Sequence, residues 1–484
     1  MARDRPPAAP PSYVVDISML GRHVLPFLYL RNKDVSMKSA VRALDLGSSV
    51  AEFDDSLEKY FIENEAFHAL VGGKIDIVAG DKGTGKTALY RILKKRYTTL
   101  EKLKGIEVLA GFNPAGNPVF QRLTTEEPLT EGQYVSVWKA YTLSLVGNWL
   151  LDIVGEDHSG KMAELAKMLS ETGLRSKDDK PETVFSKIVN GLQAVLRPQT
   201  AEIGLTVSET GIPIVTPKLT FFGDSAKQDA TVKQVPHEIA LRLLNDCLGE
   251  IDYSVWIVLD RLDEAFQGFP AVEVPALRTL FRTYLDLLDF DRMRLKLFVR
   301  RDLFRRIIGD GFVNLTHVNA RKIEISWDEK DLLNLLCRRV RDSSEITAML
   351  GAEKLSDDDL FYRLFPGKVE QATRKPTSWN WIMARIRDGN DIKPPRNLID
   401  LVKMARDAQL KAEERSPRQF SNDNPLIEAE SLKKALEKLS EQRVEDTLLA
   451  EAGPLLSTMI QKFRRAKAEQ NIDSLGGRIR PSHP

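Results

Sequence analysis

Apolar and polar positions switch between helical and strand-like spacing along most of the chain. From Ala51 onward Phe53, Leu57, Tyr60, Phe61, Ala66, Phe67 and Leu70 recur at helical intervals until Gly72 and Gly73, which predicts a helical segment. Lys74 to Ala79 is short, β-branched and bounded by glycines, as a buried strand of a parallel sheet would be. A helix is expected from Gly85 to Leu103, with Leu89, Ile92, Leu93 and Tyr97 on one side, then a strand over Ile106 to Ala110. Gln133 to Ile153 reads as a long amphipathic helix, striped by Tyr134, Trp138, Tyr141, Leu145, Trp149 and Ile153. Strand character returns at Ser254 to Leu259, Arg294 to Val299 and Ile323 to Ser326, with a helix expected over Val274 to Leu288. Alternating strands and helices predict an α/β fold with a parallel sheet.

Two departures from this rhythm set the expected domains. Between Ala201 and Phe222 the period drops to two around a turn at Glu209 to Gly211, so a β-hairpin insertion is expected at 201–222, its return strand made irregular by Pro213 and Pro217. From Asp328 the pattern is helical, through Leu332, Leu333, Leu335, Leu336 and Val340, then Trp379 to Ile386 and Asn397 to Leu410. The resulting division is a flexible extension over 1–50, an α/β core over 51–327, a helical lid over 328–412, a C-terminal helical segment over 425–470 and a tail over 471–484. With 484 residues the chain exceeds what one core usually organises, which agrees with several units. Proline-rich Met1 to Ser12 reads as a disordered tail.

Composition narrows the chemistry mainly by exclusion. Seventy Lys and Arg against 69 Asp and Glu leave a net charge of +1, so any nucleic-acid partner needs a local patch. The basic tail, Lys462, Arg464, Arg465, Lys467, Arg478 and Arg480, is the obvious cluster, and a solvated helix end is its plain alternative. Two cysteines, Cys247 and Cys337, are too few for a disulfide scaffold or a cysteine-built zinc site and fit a reducing compartment. No export signal and no membrane span are read, so a cytoplasmic protein without a membrane partner is expected.

One motif carries the chemistry. Gly80-Asp81-Lys82-Gly83-Thr84-Gly85-Lys86-Thr87, followed by Ala88, spells the phosphate-binding pattern between an expected strand and an expected helix. Its glycines let the backbone curl so that amides and the helix N-terminus face phosphate oxygens. Lys86 would reach the β and γ phosphates, and the Thr87 hydroxyl would ligate Mg²⁺. The strand Val255 to Leu259 ends in Asp260, suited to the same metal, and Asp263 or Glu264 is placed to orient an attacking water. Many hydrolysing ATPases carry a glutamate directly after that aspartate, whereas here it is Arg261. Leu295 to Val299 ends in Arg300 and Arg301, either of which would sense the γ phosphate. Arg396, after Pro394 and Pro395, begins a helix in the expected lid and is a second candidate for the phosphates. For an arginine completing a neighbour's site, Arg278, Arg282 and Arg321 are candidates, Arg321 preferred.

Three stretches together, Ala51-Glu52-Phe53-Asp54 with Tyr60-Phe61, Gly80 to Ala88, and Leu259-Asp260-Arg261-Leu262-Asp263-Glu264, resemble bacterial P-loop ATPases of poorly known function related to AAA+, STAND and origin-recognition-type ATPases. Lys393 to Ile399 and Ala435 to Ser440 extend the resemblance across about Val50 to Phe463. It implies a P-loop NTPase core with helices on both sheet faces and a helical lid. It also implies ATP rather than GTP, Mg²⁺, and a homo-oligomer sharing nucleotide sites. By the same resemblance Asp260 takes the magnesium position and Arg396 a lid-arginine position. Relatives include ATPases that load onto double-stranded DNA. Others are signalling switches, some in defence against phage, that act through a separately encoded effector.

Overall fold

A computed structural model of the chain describes residues 36–111, 129–155, 158–175, 180–196, 211–213, 234–265, 270–309, 312, 314–449, 454–464, 466 and 471–479. Seven strands occur among them: β1 Ile77–Gly80, β2 Ile106–Ala110, β3 Gly211–Pro213, β4 Gln234–Pro236, β5 Ser254–Leu259, β6 Met293–Arg300 and β7 Lys322–Glu324. Five form one sheet in the order β2-β5-β6-β1-β7. Every neighbour in it is parallel, with Gly80 opposite Arg300 and Leu259 opposite Leu297. The sheet is the α/β core that the alternation predicts, and β6 separates β1 from β5.

Strand residues alternate between two cores, as the two-residue period of a pleated strand requires. Ile77, Ala79, Ile257, Leu259, Leu297 and Val299 enter one apolar cluster with the helices Glu131–Val154 and Pro270–Leu287. Val78, Trp256, Val258 and Phe298 enter the other, with the helices Glu65–Val71 and Lys86–Arg96. Helices therefore cover both faces.

Several expected elements change shape. The stretch from Ala51 to Val71 is a 3₁₀ turn, Ala51–Phe53, and two helices, Leu57–Tyr60 and Glu65–Val71, rather than one run. Asn64 starts a new helix by accepting a hydrogen bond from the Phe67 amide at 3.1 Å, and Phe53 is left 77% exposed. The helix after the phosphate loop stops at Arg96, where Lys94, Lys95 and Arg96 complement its C-terminal dipole, and two 3₁₀ turns continue to Leu103. β1 begins at Ile77 rather than Lys74, and Asp76 just before it belongs to a buried charge cluster. Of the expected hairpin at 201–222, only Gly211–Pro213 falls within the described residues, and it pairs antiparallel with Gln234–Pro236. In the basic tail, Arg465, Lys467 and Arg480 lie outside the described residues.

The chain folds as two compact units. One gathers Leu46–Asp342 and Trp379–Leu401 and contains the sheet. The other gathers the residues before Leu46, Ser343–Ser378 and those from Val402 onward. Within it Ser343 Oγ donates to the Ala43 carbonyl at 2.7 Å, and Glu413, 1% exposed, accepts from Arg418 Nε at 2.6 Å. Among the described residues no helix is long and apolar enough to cross a membrane.

Candidate nucleotide site

The loop from Gly80 to Thr87 leaves the C-terminal end of β1 and runs into the helix Lys86–Arg96. Gly83 and Gly85 both hold positive φ, +80° and +102°, which a side-chain-bearing residue adopts only at a cost. Thr84 closes the turn, its Oγ1 donating to the Asp81 carbonyl at 2.8 Å. Trp327 braces it from the far side by donating Nε1 to the Thr84 carbonyl at 2.8 Å. Lys86 folds back over the loop, its Nζ donating to the carbonyls of Gly80 at 2.8 Å and Asp81 at 3.0 Å. Burial holds the Lys86 ammonium below its ordinary pKa, against the opposing pull of Asp263 and Asp260. The fold is that of a P-loop NTPase.

The acidic strand arrives beside this loop. Asp260, at the end of β5, is 1% exposed, and burial pushes its carboxyl up to about 6 despite the Thr87 hydroxyl and Lys86. Among the described residues its Oδ2 has no hydrogen-bond partner. A buried carboxylate oxygen left open next to a hydroxyl offers the hard oxygen donors that Mg²⁺ takes, so Thr87 and Asp260 fit that ion. Among the described residues no group of three or more His, Cys, Asp or Glu could hold a metal alone, so phosphate or water oxygens would complete the coordination.

Around these lie most of the other predicted residues. Arg300 ends β6, 3.6 Å from Asp263 and hydrogen-bonded to Asp302 at 3.0 and 3.1 Å. Arg301 turns to the loop itself, 3.7 Å from Asp81 and 3.1 Å from Glu324. Asp81, inside the phosphate loop, is held above the usual carboxylate range by burial, which Arg301 opposes. Arg396 rests on the loop: its backbone amide approaches the Gly83 carbonyl at 3.4 Å, and its buried Nε has no hydrogen-bond partner among the described residues. Lys82 and Ala88 complete the predicted loop, and Lys86, Thr87, Ala88 and Arg396 all line one cleft open to solvent. Its other wall is apolar, from Leu57, Phe61, Ile62, Leu335 and Ile399, the make-up of a site for a flat ring attached to a polyphosphate.

Arg321, expected to act on a neighbour's site rather than on this one, stands apart from the loop. It lies at the N-terminal edge of the sheet, donating Nε to Asp76 and Nη2 to the Gly73 carbonyl at 2.8 Å, while the phosphate loop leaves the opposite edge. Arg278 and Arg282, the other candidates for action on a neighbour, both pair with Glu131.

Sequence reasoning missed Arg339, at the cleft wall, and the pairing of Arg261 with Glu52. Arg339, 4% exposed, donates to the carbonyls of Leu46 at 2.5 Å and Ser48 at 3.0 Å and pairs with Asp54 at 2.9 Å. Its guanidinium stacks 4.1 Å over the Tyr60 ring. Arg261 has φ of +58°, pairs with Glu52 and donates Nη1 to Glu264 Oε2 at 3.2 Å. The signal available for Arg339 is its helical spacing from Leu332, Leu335 and Leu336, which the adjacent Arg338 obscures.

A scan against protein-family models finds no match, and no curated protein matches either. Among solved structures the chain is similar to the Aeropyrum pernix ORC1 protein in complex with DNA, at 12% identity and a TM-score of 0.34, over 86% of this chain and 75% of that one. It is also similar to the Aeropyrum pernix ORC2 protein in its ADP form, at 14% identity and 0.30, over 87% and 76%. A Drosophila ORC structure bound to DNA is similar at 11% identity and 0.28, over 91% and 76%.

Proposed function

We propose that the chain binds ATP with magnesium at the Gly80 to Ala88 loop, hydrolyses it as an oligomer with shared nucleotide sites, and uses the cycle to act on double-stranded DNA. The observation that carries the nucleotide half is the buried Asp260 carboxylate, with one oxygen unpartnered, set against Thr87 and Lys86 at the mouth of a glycine-turned loop. The DNA and oligomer half rests on the resemblance of the motifs.

In this reading Lys86 binds the β and γ phosphates, exchanging its carbonyl partners for phosphate oxygens. Thr87 and Asp260 hold the magnesium, which when bound neutralises charge developing on the terminal phosphates. Glu264 or Asp263 orients the attacking water, and Arg300, beside Asp263, meets the γ phosphate. Arg396 reports the phosphates to the helix Pro395–Arg415, whose first turn it occupies.

A second reading, favoured by Arg261 in the place of the usual glutamate, is a STAND-like switch that retains ATP and assembles with a separately encoded effector. ATP turnover with and without double-stranded DNA, recorded with the mass in solution, separates the two. DNA-stimulated turnover by an assembled species supports the first, and tight retention without turnover supports the switch. Lys86→Ala is expected to weaken ATP binding by about a hundredfold, since it removes a charged donor aimed at the phosphates. Unchanged affinity would refute the placement of the nucleotide.

A further inference from the structure

The residue after the magnesium aspartate cannot act as a base, since it is Arg261, yet the fold goes to some length to place it. Its φ of +58° lies in the left-handed region that bulky residues avoid. Such a backbone persists only where the surroundings over-determine it, and an observed outlier of this kind points to a task. The surroundings here are two carboxylates. Glu52, 209 residues away in sequence, takes one side of the guanidinium, and Glu264 accepts from the other at 3.2 Å. Glu52 belongs to the Ala51–Phe53 turn, which sits on the phosphate-loop helix because Arg91 donates to the Ala51 carbonyl, and Ala51 itself lines the nucleotide cleft. Among the described residues the second oxygen of Glu52 is buried without a hydrogen-bond partner, while the first accepts from Arg261.

We propose that Glu52 and Arg261 are positioning residues for hydrolysis: Arg261, gripped by Glu52 from the wall of the cleft, fixes where the Glu264 carboxylate stands relative to the γ-phosphate side of the loop. The inference rests on the reading of Glu264 as the water-orienting group. It gives the arginine a role that a glutamate at that position would not need, and it makes the cleft wall part of the hydrolytic apparatus. Glu264 lies on the short helix Leu262–Ala265, anchored beneath by fully buried Leu262, so its backbone is set and only the direction of its side chain remains to be fixed.

The test uses the full-length chain, magnesium and ATP. Arg261→Asn keeps a residue that tolerates the left-handed backbone and deletes the cation, whereas Glu52→Gln keeps the shape of the anchor and deletes its charge. Both are expected to lower kcat by about tenfold with KM and the affinity for a fluorescent ATP analogue unchanged, as displacement of a catalytic group produces. Arg261→Lys should recover part of the loss. If the wild type turns over ATP and neither variant changes kcat, or if kcat rises, the proposal is wrong while the hydrolytic reading stands. If the wild type binds the analogue and never turns ATP over, the hydrolytic reading fails and this proposal with it.

Discussion

Replacing Gly83 by alanine tests the phosphate loop at the point where backbone conformation and a neighbouring side chain both constrain it. At φ of +80° an added Cβ costs about 1–2 kcal/mol. That Cβ would also stand 3.0 Å from Cβ of Arg396, closer than ordinary van der Waals contact, and 3.6 Å from Pro394. Both costs fall on the loop shape that cradles phosphate, so a relaxed loop must be forced back when nucleotide binds. The conformational part alone raises Kd roughly 5- to 30-fold, and the contact with Arg396 pushes the result toward the upper end. Gly73→Ala is the control, because Gly73 has a similar φ of +68° with nothing within 4 Å of the added carbon and lies at the opposite edge of the sheet. Titration calorimetry with magnesium and ATP would compare the two variants with the wild type, and thermal unfolding would confirm that each folds. Gly83→Ala binding within about twofold of the wild type, or an equal loss in Gly73→Ala, would refute the reasoning.

Other expectations are narrower. Glu264→Gln should leave binding intact and trap ATP, and the same phenotype from Asp263→Asn instead would move the water-orienting role to that residue, as single-turnover assays would show. Lys296→Met, at a side chain 1% exposed and 2.7 Å from Asp76, should destabilise the sheet-bearing unit by about 3 kcal/mol in chemical denaturation, because it strips a buried carboxylate of one of the two cations, Lys296 and Arg321, that pair with it among the described residues. His237 is buried and its pKa lowered to about 4, so the unfolded chain takes up the proton first as pH falls below 6.5. Stability should therefore drop between pH 6.5 and 4, by about 3 kcal/mol from this group, and His237→Gln should flatten that slope in pH-dependent unfolding.

The parts of the site legible in the sequence are those whose signal is local. The phosphate loop spells itself within eight residues, and Asp260 ends an apolar run whose strand boundaries the structure reproduces at Ser254 and Leu259. Arg396 could be named because two prolines mark its helix start. For Arg321, expected to complete a neighbour's site, position before a strand does not say which end of the sheet the side chain serves; the structure sets it against Asp76, at the end opposite its own phosphate loop. In parallel strands the residue before the strand and the residue after it face opposite edges. The cluster of Asp76, Lys296 and Arg321 leaves no periodic trace, since Lys296 and Asp76 meet across 220 residues. Its one visible sign is a lysine inside the apolar run Leu295 to Val299, where burial lowers the pKa of Lys296 to about 8 and Trp256 lies 3.9 Å beneath its ammonium. The Glu52 to Arg261 pair is hidden for the same reason.

The strand order has a consequence for how the chain is made. β1 carries the phosphate loop, yet both its neighbours, β6 and β7, lie more than 200 residues later. At ribosomal rates of about 5–20 residues per second, β1 waits roughly 10–45 s with both edges unpaired. During that interval β1 depends on chaperones or on the nascent helices around it. A slowed translation site before Met293 should then lower the soluble yield more than the same delay placed after Glu324.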